Sequence, residues 1–206
     1  MGREEFEVVK ENVLKRKVRR RMGLFTDATG LDRATRRLDK KIDLSRLVKG
    51  LSSGLKLEVA RYYCLIPYED DARQFSFLDA VERAGVEVIT KRLPPKGVKR
   101  QVSMDVHIAT DIMNFCSGNF AEASKEAEQK KEANGSNVIV ASKKITKFKR
   151  TLTVVCPSRE LNYALYSAKN QGADTSLADF GQYGVSDGWK GVDKWIDMST
   201  SETIWR

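Results

Sequence analysis

Histidine is nearly absent: His107 is the only one in 206 residues. One imidazole excludes a histidine-rich metal site. It stands two residues from Asp105, about 200° round a helix, so the two form no local dyad; His107 is read as packing or surface. Cysteine is sparse as well. Cys64, Cys116 and Cys156 are far apart and form no CxxC, which argues against a disulfide framework or a zinc site and suits a reducing cytoplasm. No apolar run approaches the ~18 residues of a membrane span, and the opening stretch MGREEFEVVKENVLKRKVRRRMG has no apolar core of a secretory signal. Neither GxGxxG nor GxxxxGK[ST] follows the first apolar segment, so dinucleotide and P-loop chemistry lack their glycine cradles. A nucleotide-binding regulator is disfavoured on that ground.

Positive charge is abundant and concentrated. The chain nets +9, of which residues 10–21 (KENVLKRKVRRR) supply +6 and residues 143–150 (KKITKFKR) supply +5. Everything else nets −2. Two basic segments on a nearly neutral body suit a polyphosphate partner, because each Lys or Arg set on a phosphate releases counterions. The candidate backbone contacts are Lys15, Arg16, Lys17, Arg19, Arg20, Arg21, Lys143, Lys144, Lys147, Lys149 and Arg150. A solvated arm and hairpin are the plainer alternative.

Hydrophobic periodicity predicts alternating strands and helices. Strands are expected at 22–26, 56–67, 86–90, 152–156 and 175–180. A helix near 42–51 places Leu44, Leu47, Val48 and Leu51 together; the next, over 69–85, buries Phe75, Leu78 and Val81 and stops at Gly85. A helix over 102–116 buries Val106, Ala109, Met113 and Cys116, and one over 159–172 buries Leu161, Ala164, Leu165 and Ala168. Residues 117–150 read as a charged insertion, 1–21 as a basic arm and 199–206 as a tail. The order implies a mostly parallel sheet covered on both faces, a three-layer α/β/α domain over 22–198. Trp189, Trp195 and Trp205 are read as packing at its edge, with base stacking as the functional alternative.

In an open parallel sheet the ligand crevice lies beyond the carboxyl ends of the strands. The residues there are Asp27, Pro67, Glu69, Asp70, Asp71, Ser158, Glu160 and Asp179. Acids in those places suit a divalent cation, since Mg²⁺ takes oxygen ligands and keeps several waters.

Five segments in order carry a resemblance: MGLFTDATGLDR, DDARQFSFLDAVERAGVEVI, KRQVSMDVHIATDIM, TLTVVCPSRELNYALYSAKNQGA and GVDKWIDM. Together they resemble the NYN domain, a branch of the PIN-like ribonucleases that includes the LabA-like proteins. The resemblance implies an α/β/α PIN-like (Rossmann-like) fold and RNA cleavage by Mg²⁺ or Mn²⁺ held on clustered carboxylates. Carried over residue by residue, Asp27 matches the first-strand ligand, Asp105 the helix ligand and Asp111 the second helix acid, about 120° round from Asp105. Where the family has S-G-D-x-D-F, this chain has Cys156-Pro157-Ser158-Arg159-Glu160-Leu161. Ser158 replaces the first acid, Glu160 stands for the second, and Gly30 replaces an Asn three residues after Asp27. The implied metal set is Asp27, Asp105 and Glu160. The implied activity is a metal-dependent ribonuclease, with a catalytically inactive module that binds RNA or protein as the alternative. A homodimer is implied by resemblance only.

Overall fold

The computed structural model describes residues 19–69, 71–120, 148–181 and 188–206. Six parallel strands make one sheet in the order β3-β2-β1-β4-β5-β6: β1 (Arg20–Asp27), β2 (Leu57–Ile66), β3 (Glu87–Arg92), β4 (Lys149–Val155), β5 (Asp174–Asp179) and β6 (Lys194–Asp197). Helices α1 (Ala28–Leu38), α2 (Leu44–Ser52), α3 (Ala72–Arg83), α4 (Asp105–Ser117) and α5 (Asn162–Asn170) cover it. This is the three-layer α/β/α, PIN-like architecture. The strand order reverses between β1 and β4, which opens a crevice at their carboxyl ends.

Alternation along the strands divides the core in two. Leu24 of β1 faces Leu31, Leu47, Leu78 and Val81 of the first three helices. Its neighbour Phe25 faces the opposite way, into Ile108, Ile112, Phe115, Leu161 and Leu165 of α4 and the α5 region. Each such fully buried side chain contributes about 1.5–3 kcal/mol relative to exposure.

Short acidic side chains start three of the helices. Asp27, Asp43 and Asp71 accept hydrogen bonds from Thr29 N, Arg46 N and Arg73 N at 2.9, 3.1 and 2.9 Å, satisfying amides that the first turn leaves without partners. α1 was not among the expected helices, because alanines flank Leu31 in its buried stripe, Ala28, Leu31 and Ala34. β6 was not among the expected strands and lies within the segment GVDKWIDM. The stripe expected on α4 is corrected: Ile108, Ile112 and Phe115 are buried, whereas Val106 is 73% exposed. Ala109 and Cys116 of the expected stripe pack partly buried against the same core, so spacing alone found only the margin of the buried side. Phe75 on α3 is likewise exposed while Leu78 and Val81 are buried, and the stripe of α5 is as expected.

The element boundaries shift the expected divisions. β1 begins at Arg20 and β4 at Lys149, so the ends of both basic segments belong to the sheet. The final residues also join the domain: Ile204 is buried, Trp205 bridges Ile42, and its ring lies 5.6 Å from that of Phe180. No helix among the described residues is long and apolar enough to cross a membrane.

Candidate active site

Asp27 ends β1 and Ser158 follows β4, so the two strands at the reversal point deliver both to one crevice. α4 runs back over the sheet and brings its first residue, Asp105, to the same place: Ser158 Oγ donates to Asp105 Oδ1 at 2.6 Å. Asp27 is 8% exposed. Burial raises its proton affinity, the amides of Thr29 and Gly30 oppose that, and the charge of Asp105 raises it again while Arg33 lowers it. The two carboxylates thus lie near enough at the mouth of the sheet for the charge of Asp105 to act on Asp27.

The turn that carries Ser158 has an unusual backbone. Cys156 adopts φ 49°, a left-handed conformation that is uncommon outside glycine. The first turn of α1 packs on it so closely that a Cβ on Gly30 would collide with the Cys156 carbonyl oxygen. No side chain fits at position 30. Beneath the turn, Cys156 Sγ hydrogen-bonds to Asp179 at the end of β5, and burial raises the Asp179 carboxyl above the ordinary range.

The remaining expected residues stand as follows. Glu160 is exposed on the short 3-10 turn Arg159–Leu161, two residues beyond Ser158. Arg159 stacks 5.3 Å from the Trp189 ring. Asp111 is not brought to Asp27. Six residues along α4 place it about 9 Å further down the helix axis, at 1.5 Å per residue. There it pairs with Arg61 Nη1 at 2.7 Å and accepts from the Tyr63 hydroxyl at 2.7 Å. Arg61 also binds Glu87 at 2.8 Å and covers Phe120, so the group ties α4 to β2 and β3. His107 is exposed on α4.

The described basic residues come together but at the other end of the sheet. Arg20 pairs in register with Lys149 and Arg21 with Arg150, about 20 Å along β1 from Asp27 at ~3.3 Å per residue. Arg21 covers the Phe148 ring and Lys149 pairs with Asp174 at 2.8 Å. Lys15, Arg16, Lys17, Lys143, Lys144 and Lys147 lie outside the described residues.

Thiol chemistry is unsupported, because burial raises all three cysteines, Cys116 to about 11. Among the described residues no three His, Cys, Asp or Glu side chains converge to hold a metal ion. The donor set at the crevice is two carboxylates and a hydroxyl. That set fits Mg²⁺ or Mn²⁺ in the manner of sites that take one or two carboxylates and complete the shell with water and substrate phosphate. A position that sequence reasoning missed is Arg33, whose charge reaches Asp27; its signal was the i, i+3, i+4 spacing of Arg33, Arg36 and Arg37 on α1.

Comparison with known proteins agrees with this architecture. The family model of the NYN domain matches residues 21–124. No curated protein matches the chain. The crystal structure of a protein of unknown function from Vibrio parahaemolyticus superposes with a TM-score of 0.67, at 9% identity, over 92% of this chain and 98% of that one. At such identity the likeness concerns the fold alone.

Proposed function

The chain belongs to the NYN domain family, and from that premise we propose that it is a Mg²⁺- or Mn²⁺-dependent ribonuclease with Asp27 and Asp105 as its metal ligands. Family membership supports a nuclease-like function on RNA. The observation that carries the finer reading is the approach of Asp105 to Asp27 at the β1/β4 reversal, close enough that the charge of Asp105 disfavours the charged form of Asp27.

A bound divalent cation supplies an activated water and offsets charge developing on the phosphate. The protein's own groups do the rest. Asp27 is fixed by its bond to Thr29 N, so its carboxylate is held before any ligand arrives. Ser158 orients Asp105 through Oδ1 and leaves the second oxygen of that carboxylate for a ligand. Glu160, exposed beside this turn, is the candidate third acid of the set. The basic residues Arg19–Arg21, Lys149 and Arg150 hold phosphates without reading sequence. RNA is the partner in this reading, with the cytoplasm as its compartment and a homodimer as its assembly.

The test is cleavage of labelled single-stranded RNA with Mn²⁺, Mg²⁺ or EDTA by wild type and Asp27→Asn. Cutting that needs metal and Asp27 supports the assignment; binding without cutting supports the second reading, an inactive RNA-binding module. What supports that second reading is the Ser158 hydroxyl, a neutral group spent on Asp105 at a position that the resemblance matches to an acid.

A further inference from the structure

We propose that the outward face of α1 and the cleft beyond it form a track for the phosphate backbone of single-stranded RNA, leading away from the Asp27–Asp105 crevice. The proposal rests on the RNA reading above and adds a binding surface to it.

α1 begins at the crevice, since Asp27 is its N-cap. Its inner face buries Ala28, Leu31 and Ala34, and its outer face exposes Arg33, Arg36 and Arg37. Residues 28–56 hold eight basic and three acidic side chains, a net of +5. Two of those acids are engaged locally: Asp32 pairs with Arg36 at 2.9 Å, and Asp43 caps α2 and lies 3.6 Å from Arg46. The eleven residues of α1 span about 16 Å. Past its end, Asp39, Lys40, Lys41, Trp205 and Arg206 line a cleft of about 400 Å³.

The cleft is a built feature. Arg206 N donates to Lys41 O at 2.9 Å, Asp43 N to Ile204 O at 2.8 Å, and Arg46 Nη1 to Trp205 O at 3.3 Å. Trp205 rests against Phe180, and Lys40 Nζ stands 5.0 Å from the centre of its indole ring. An ammonium over an indole marks a face that a nucleobase can take by stacking, with the lysine moving to the adjoining phosphate. Three cations against the single acid Asp39, beside one aromatic ring, match the chemistry of a nucleotide unit. At ~3.4 Å per stacked nucleotide the α1 span corresponds to about five nucleotides between crevice and cleft.

The experiment is fluorescence anisotropy of a labelled oligouridylate of about 15 nucleotides, in EDTA so that no cutting occurs, over a series of salt concentrations. Wild type is compared with Lys40→Glu/Lys41→Glu and with Arg83→Glu/Lys194→Glu, an equal charge change at exposed positions on α3 and β6. The track predicts about tenfold weaker binding for the first variant, a salt slope shallower by about 1.4, and near-wild-type binding for the second. The track also predicts that RNA quenches the Trp205 indole in wild type and that Trp205→Phe, which keeps a ring on Phe180, loses this quenching. Equal losses in both double variants, or none in the first, would overturn the track and leave RNA binding intact. Absence of wild-type binding would overturn the track together with the RNA reading on which it stands.

Discussion

The hydroxyl of Ser158 donates a 2.6 Å hydrogen bond to Asp105 Oδ1, joining the turn after β4 to the first residue of α4. An acid here would place a third negative charge beside Asp27 and Asp105, where burial, with the charge of Asp105 added to it, already raises the proton affinity of Asp27. The serine avoids that third charge and reduces the charge available to a cation. Stability without metal and affinity for metal are therefore opposed at this one position.

Ser158→Asp should lower the melting temperature in EDTA and increase the stabilisation gained from Mn²⁺. That gain grows as RT ln(1 + [L]/Kd), so tenfold tighter binding adds about 1.4 kcal/mol at saturating ion. Thermal melts with and without Mn²⁺ read both effects. A variant that melts like wild type in both conditions would show that residue 158 does not face the cation.

Asp27→Asn should abolish metal-dependent cleavage, by about 100-fold or more, while stabilising the fold at neutral pH. Asparagine keeps the cap on Thr29 N and removes a charge that burial and Asp105 disfavour. The sign follows from linkage. The folded Asp27 binds its proton more readily than an unfolded one, so wild-type stability falls as pH rises from the ordinary aspartate value of 3.8 through the raised folded value. The advantage of the variant is thus present at neutral pH and disappears in acid below that window. Denaturant melts across pH check it.

Gly30→Ala should be destabilising by about 1–3 kcal/mol or more, because the added methyl meets the Cys156 carbonyl, which is backbone and cannot turn aside. Gly50→Ala provides the contrast. Nothing lies within 4 Å of a Cβ at that site on α2, and alanine there should stabilise by about 0.5–1 kcal/mol. Urea midpoints for the two variants should move in opposite directions.

Asp111→Ala should cost about 1–3 kcal/mol of stability, since it strips a partner from both Arg61 and Tyr63. It should leave the Mn²⁺-induced shift in melting temperature unchanged. Loss of that shift would place Asp111 in the cation site after all.

Much of the fold was legible from periodicity because most strands and two of the helices carry large apolar residues at regular spacing. α1 was not, since Ala28 and Ala34 bury a face without raising hydropathy. α4 misled in another way: spacing found only the margin of its buried side, and contact with Phe25 distinguishes Phe115 from Val106. The sequence separated Asp111 from Asp105 by angle, yet the axial rise decides that Asp111 meets Arg61. Charge was averaged too coarsely as well. Summing everything outside two basic runs to −2 concealed the +5 of residues 28–56. Strand pairing then carried Arg20 and Lys149 to the end of the sheet opposite Asp27, a separation that no linear count of charge contains.

The central claim is that Asp27 and Asp105 together hold a divalent cation at the β1/β4 crossover. Mn²⁺ titration followed by the electron paramagnetic resonance of the free ion tests it on wild type, Asp27→Asn and Asp105→Asn. The account predicts a single site in wild type that both substitutions weaken by at least tenfold, about 1.4 kcal/mol. Undiminished binding in either variant, or no site in wild type, would contradict it.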